Sequence, residues 1–188
     1  MIRLLFLLCF LLLAGCASTP PPAIHFATRP AQTESVPFVL SGRIAVKYGD
    51  DRSSSGVRWT HHSEADEIIL LAPLGQTVAR IRSDIQGAAL DMPFKHYSAQ
   101  DADDLTQQVL GWRLPLAGLR YWVLALPAPN GAFDMERDMN GQVALLSQDG
   151  WVIRYTRYAA QSPDSLPLHV ALQREGLEIR LLIDEWEI

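Results

Sequence analysis

Leu177-Glu178-Ile179-Arg180-Leu181-Leu182-Ile183-Asp184-Glu185-Trp186 is the stretch whose reading decides the fold. Ile179, Leu181 and Ile183 alternate with Glu178, Arg180 and Asp184. A period of two puts the apolar set on one face of a strand and the charges on the other. Working back from it, Thr77 to Ser83 repeats the pattern, with Arg80 and Arg82 set between apolar residues. Phe38 to Tyr48, broken at Gly49-Asp50, then Gly56 to Thr60, Glu67 to Ala72 and Gly87 to Met92 read as further strands. Late in the chain, Asn130-Gly131, Asn140-Gly141 and Asp149-Gly150 are the dipeptides of tight turns, and they set off Val143 to Gln148 and Trp151 to Tyr158. A Pro-rich loop through Pro163 and Pro167 leads to Leu168 to Gln173.

Between the two groups of strands the period changes. Ser98, three residues before Asp101, reads as a capping-box-like start, and Ala102, Leu105, Val109 and Leu110 recur at helical spacing until Gly111. A second helix is expected from Pro115, with Leu116, Leu119, Trp122, Val123 and Leu126 on its apolar face and Pro127 and Pro129 ending it. The fold class is therefore mainly β with a helical insertion (α+β). Roughly nine half-apolar strands curl into a half-open antiparallel barrel, and the helices form a lid over its open side. Such a sheet is either filled by its own side chains or encloses an apolar cavity.

The N-terminus is of a different kind. Arg3 is followed by an apolar run from Leu4 to Leu13, and Leu13-Ala14-Gly15-Cys16 is a lipobox, in which small residues lead to the cysteine that is lipidated. About 11 apolar residues span only about 16 Å as a helix, half of a bilayer core, so residues 1–15 are read as a lipoprotein signal peptide. Residues 16–37, with Pro20, Pro21, Pro22, Pro30 and Pro37, form a lipidated N-terminus and flexible Pro-rich linker, and residues 38–188 form one domain. Cleavage removes Cys9 and lipidation consumes Cys16, so no disulfide is expected. The whole chain has 16 basic and 21 acidic residues, and losing Arg3 takes the formal charge from −5 to −6. That balance excludes the basic stripe of a nucleic-acid binder, and no other apolar stretch is long enough to span a bilayer.

Chemistry is sparse. The chain has no G-x-S-x-G, P-loop, G-x-G-x-x-G after a strand or H-E-x-x-H, so no catalytic residue, metal ligand or cofactor is named and the protein is read as a non-enzyme. His61, His62, Glu64 and Asp66 form the one cluster with metal-ligand chemistry, but adjacent histidines on an extended strand face opposite ways, and a solvated hairpin loop is expected there. Asp101, Asp103 and Asp104 suit the first turn of a helix. Trp59, Trp112, Trp122, Trp151 and Trp186 are spread over strands and helices, as core residues or as cavity lining. Ala72-Pro73-Leu74-Gly75-Gln76 runs an apolar strand into a bend that carries Leu74, either folded back as a plug or exposed to a partner or membrane.

Several segments, taken in order, resemble the LolB family of outer-membrane lipoprotein receptors. They are the lipobox, Ser41-Gly42-Arg43-Ile44-Ala45-Val46, Gly56-Val57-Arg58-Trp59, Leu70-Leu71-Ala72-Pro73-Leu74-Gly75, Gly111-Trp112-Arg113-Leu114-Pro115-Leu116, Leu119-Arg120-Tyr121-Trp122, Leu126-Pro127, Gln148-Asp149-Gly150-Trp151, Leu166-Pro167 and Ile183-Asp184-Glu185-Trp186. The resemblance covers essentially the whole chain. It implies an apolar interior that takes the acyl chains of other lipoproteins from a LolA-type periplasmic carrier and delivers them, without ATP, to the inner leaflet of the outer membrane. It also implies that the protein is held on the periplasmic face by the Cys16 anchor in outer-membrane lipid, with Ala17 compatible with that address. Pro73, Leu74 and Gly75 match the family's protruding membrane-insertion loop. Trp59, Leu105, Leu119, Trp122, Trp151, Ile153 and Tyr155 are the candidate cavity and lid lining. Ala125 stands where the family pattern has glycine, which bears on how the second helix ends. The competing readings are a scaffold lipoprotein with a filled barrel core and a lipocalin-like carrier of small lipids.

Overall fold

A computed structural model describes residues 36–188. The signal peptide, Cys16 and all but the end of the linker lie outside the described residues.

Eleven strands and two helices follow in the order β1 (Phe38–Tyr48), β2 (Asp51–His62), β3 (Ala65–Leu71), β4 (Thr77–Asp84), β5 (Gly87–Met92), β6 (Lys95–Ala99), α1 (Ala102–Leu110), α2 (Leu116–Trp122), β7 (Phe133–Arg137), β8 (Val143–Gln148), β9 (Trp151–Tyr158), β10 (Pro167–Arg174) and β11 (Leu177–Glu187). All strands join one antiparallel sheet in the order β6-β5-β4-β3-β2-β1-β11-β10-β9-β8-β7. Apart from β6 and β7, sequence neighbours pair with one another, and the one long-range pairing brings β1 against β11 at the centre.

Alternation does what the sequence indicates. On one half of the sheet the row Leu40, Trp59, Ile68, Ile81, Leu90 and Tyr97 lies in register across six strands. On the other half Val46, Ile179, Leu172, Ile153, Leu146 and Met135 do the same. Nearly all of these side chains are buried or packed on the core, so both rows belong to one apolar face. β1 bends between the halves at a register shift after Ser41, where a Cβ on Gly42 would sit 2.1 Å from the Leu182 carbonyl oxygen. Only glycine fits that approach.

The sheet is strongly curled. Arg120 and Trp122, two residues apart on α2, bond respectively to Asp66 on β3 and Gln148 on β8. Those strands are six spacings apart, about 29 Å in a flat sheet, so the two halves must fold toward each other around the helix. The edges β6 and β7 do not pair, which leaves the barrel half open.

Four expectations change. There are eleven strands rather than nine, because β6 and β7 are five-residue edge strands, mostly exposed, whose few apolar residues give only a weak signal. Ser98 lies in β6, and the cap of α1 is Asp101, whose side chain accepts from the Asp104 N–H. Helix α2 stops at Trp122, four residues before Leu126, because Ala125 takes a positive φ of 56° and turns the chain. Asn130-Gly131 lies in the loop that leads into β7, whereas Asp149-Gly150, both at positive φ, form the tight turn between β8 and β9.

Candidate functional site

The concave face of the sheet and the helices beneath it make one apolar interior. Helix α1 contributes Ala102 and Leu105, and α2 with its exit contributes Leu116, Leu119, Trp122, Val123 and Leu124, all 3% exposed or less. An acidic cap and Gly111 at φ 79° bound α1, and Pro115 opens α2, so both helices are short.

The candidate lining residues come together in one core. Trp122, Trp151 and Tyr155 meet at the β9 side, where the Trp122 and Trp151 rings lie 6.1 Å apart and the Tyr155 hydroxyl donates to the Trp122 carbonyl at 2.7 Å. Ile153 and Leu119 belong to the same core, as does Leu105. Trp59 sits across the interior on β2, edge-on to Phe38 at 5.1 Å. All seven are 0–5% exposed, so in this state the helices' side chains fill the space between the two sheet halves.

Polar anchors fasten the helices to the sheet, and sequence reasoning missed them. Asp66 Oδ1 accepts from Trp59 Nε1 at 2.8 Å and lies 2.9 Å from His61 Nδ1, while Asp66 Oδ2 accepts from Arg120 at 2.9 Å. The expectation of a solvated hairpin loop is therefore wrong for two of the four residues there. His61 and Asp66 are buried at 1% and 4% exposure, whereas His62 and Glu64 face solvent. The alternation that separates the two histidines also turns His61 and Asp66 inward, and Arg120 supplies the charge that makes burial of a carboxylate tolerable. On the other side, Gln148 Oε1 accepts from Trp122 Nε1 and from the Ala128 N–H, and its amide donates to the carbonyls of Ala128 and Asn130. One buried glutamine thus fixes both the lid tryptophan and the loop that follows it. The signal for these residues was a polar type at an inward position of an alternating strand.

At one end of the sheet the core borders a surface pocket. Tyr48, Trp112, Pro115, Trp151 and Leu177 line a pocket of about 380 Å³ together with Asp103, Arg113 and Arg174. Trp151 Nε1 is buried there with no hydrogen-bond partner among the described residues. Burial pushes the Asp103 carboxyl above its ordinary value, and the charges of Asp101 and Asp104 push the same way against Arg113 and the Leu116 N–H.

The Pro73-Leu74-Gly75 turn is at the same end. Gly75, at φ 84°, donates to the Ala72 carbonyl, and the Ala72 N–H donates to Gln76, which closes a tight loop. Leu74 is 85% exposed at its tip, so it is not a plug.

Comparison with known proteins gives a consistent result. The family described as Outer membrane lipoprotein LolB matches residues 37–186. Outer-membrane lipoprotein LolB of Nitrosomonas europaea is 39% identical, over 94% of this chain and 88% of that protein. The protein of the same name from Thiobacillus denitrificans is 38% identical, over 93% and 91%, and that from Pseudomonas aeruginosa 31%, over 94% and 91%. Among solved structures, a LolA superfamily protein from Nitrosomonas europaea aligns with a TM-score of 0.45 at 9% identity, covering 82% of this chain and 86% of its own.

Proposed function

Given that the chain belongs to the LolB family of outer-membrane lipoproteins, which serve lipoprotein localisation, we propose that it is the receptor that takes acylated lipoproteins from a LolA-type carrier and places them in the membrane. The observation that carries the proposal is the interior itself. An apolar face on each half of a curled sheet is closed by two short helices, with a pocket and an exposed leucine turn at one end.

Energetics restrict the mechanism. Each methylene buried is worth roughly 0.8 kcal/mol, so a 16-carbon acyl chain loses on the order of 12 kcal/mol if it passes through water. Transfer must therefore be direct, mouth to mouth, with acyl chains sliding from one apolar lining to the next. Direction follows from the relative affinities of carrier, receptor and bilayer, and nucleotide hydrolysis is not required. The acyl chains displace α1 and α2 outward, so that Trp59, Leu105, Leu119, Trp122, Trp151, Ile153 and Tyr155 exchange contacts with one another for contacts with lipid. No bond is made or broken, and the residues act by binding and release. The unspent Trp151 N–H at the mouth suits the ester or amide carbonyl at the head of an acyl chain.

Cys16, acylated, keeps the protein on the periplasmic face of the outer membrane, and Leu74, between Pro73 and Gly75, touches the leaflet that receives cargo. The test is transfer of a labelled lipoprotein from the carrier to receptor and then to vesicles. Leu74→Glu is expected to leave acceptance intact and to block release, and normal delivery by this variant would overturn the role given to Leu74.

The complete burial of the seven lining residues favours a second reading, a docking lipoprotein with a permanently filled core. A photoreactive acyl probe distinguishes the two, because it crosslinks to α2 or β9 only if the interior opens.

A further inference from the structure

Hairpin registers place two apolar turns of this protein side by side. Leu71 pairs with Thr77, Arg80 with Asp91 and Met92 with Lys95, so the β3–β4 turn and the β5–β6 turn emerge at the same end of the sheet. Two strand spacings, roughly 10 Å, separate them across the sheet. The β5–β6 turn is Pro93-Phe94, and Phe94 is fully exposed with a φ of 64°. That position of a tight turn after proline is the usual place of glycine or asparagine, and a bulky residue there is strained. Phe94 therefore costs the fold twice, in backbone strain and in bare aromatic surface, with nothing inside the domain to offset either. Val78 and Met92, each about two-fifths exposed, lie between Phe94 and Leu74.

Charge sets this corner apart. Residues 72–79 and 92–95 contain no Asp or Glu and one cation, Lys95, in a chain of net charge −5, and the adjoining Asp91 is ion-paired with Arg82. The other turns at the same end carry Asp50, Asp51, Asp149 and Glu175. At the opposite end Ile85 and Met139 are also exposed, but next to Asp84 and Asp138.

We propose that the β3–β4 and β5–β6 turns form a two-point contact with the bilayer surface, in which Phe94 is a second anchor beside Leu74. The inference rests on the reading of Leu74 given above and extends it. A bilayer is the occupant because the family resides at the outer membrane, because an acid-free corner alone approaches phosphate headgroups without repulsion, and because two projecting tips suit insertion between lipids better than the flat contact area a protein partner needs. Aromatic side chains partition to the level of the headgroups, and the Lys95 stem can lie along Phe94 with its ammonium among the phosphates. Two anchors fix the tilt of the domain, which one does not, and so aim the pocket mouth at the leaflet.

The experiment uses the acylated full-length protein in vesicles of phosphatidylethanolamine and phosphatidylglycerol. An environment-sensitive fluorophore is placed on L74C, F94C or, as the opposite-end control, I85C. Labels at positions 74 and 94 are expected to shift to the blue and to be quenched by lipids brominated in the acyl chains, and the label at 85 to stay in water. A wet label at 94 beside a quenched label at 74 overturns the second anchor and leaves the Leu74 reading standing, while wet labels at both overturn that reading as well. Quenching at 94 equal to that at 85 also refutes it, as does protection of 94 that needs the LolA-type carrier. Phe94→Gly, which relieves the backbone, is expected to hold or raise the thermal midpoint and to slow cargo delivery about tenfold, the scale of losing one buried aromatic contact. Unchanged delivery by this variant overturns the functional half of the proposal.

Discussion

Arg120 on α2 and Asp66 on β3 form an ion pair with Nη2 2.9 Å from Oδ2, at side-chain exposures of 14% and 1%. The same carboxylate holds Trp59 and His61, and the same guanidinium reaches Glu64 at 3.3 Å. A clasp between a helix and the sheet it covers must break if that helix is to lift.

Arg120→Met is therefore expected to cost about 3 kcal/mol, because it strands a buried carboxylate. Adding Asp66→Asn should recover part of that loss, since the stranded charge is gone. Urea unfolding measures both. The same Arg120→Met protein should take up an acyl probe faster than the parent, and a stability within about 0.5 kcal/mol of the parent would remove the clasp from the account.

Gly118 faces Trp122 within α2. A Cβ at this position would lie 2.6 Å from Cζ2 and 2.7 Å from Cη2 of the indole. Alanine favours an exposed helix over glycine by about 1 kcal/mol, but Trp122 is buried and tied to Gln148, so its ring cannot yield cheaply. Gly118→Ala should destabilise by about 1–3 kcal/mol and alter the near-ultraviolet dichroism of the tryptophans. A stabilised variant would show that the ring has room to move.

Ala125 ends the helical insertion at φ 56° and 0% exposure. Its N–H donates to the Trp122 carbonyl, and the next residue, Leu126, donates to Tyr121. Ala125→Gly relieves about 1 kcal/mol of left-handed strain and gives up a methyl burial of similar size, so its unfolding midpoint in urea should scarcely move. Ala125→Val adds both branching and volume at that backbone angle and should cost more than about 2 kcal/mol. Equal behaviour of the two variants in urea would contradict this account.

Asp103 has a defined sign with pH. Its folded-state pKa is raised above 3.8, by burial first and then by Asp101, so the native protein holds this proton more tightly than the unfolded chain does. Stability from this group is greatest below the ordinary carboxylate value and falls as pH rises through the interval up to the raised value. Asp103→Asn should raise the thermal midpoint at pH 7 by about 1–3 °C, and the gain should vanish near pH 3, where the aspartate is protonated in both states. Calorimetry across that range decides it.

Alternation along single strands made the sheet legible before any coordinates. The inward set at Ile179, Leu181 and Ile183 and the turn at Asp149-Gly150 follow from period and turn chemistry alone. Edge strands escaped because they are short and mostly exposed, so that Phe133-Asp134-Met135-Glu136-Arg137 offers only two apolar positions, of which Met135 packs on the core. The site was readable where it is apolar. Its polar fastenings were not, since nothing local links Asp66 to Arg120 across 54 positions of chain. Phe94 was overlooked for the opposite reason, because Pro93-Phe94 gives no sign in sequence that a phenylalanine occupies a glycine-like backbone angle.

The placement of β1 carries a further consequence. Phe38 pairs with His61, whereas Leu71 pairs with Gly56, so the chain arriving from Cys16 joins the domain at the end opposite Leu74. Measured along the strands, the two points are roughly 25 Å apart. If Cys16 and Leu74 engage the same bilayer, the residues between Cys16 and Phe38 have to cover that distance. The length of chain between anchor and domain is then a matched dimension of the device. Cut to six residues, at most about 21 Å of chain, it would moor the protein with its working end turned away from the lipid.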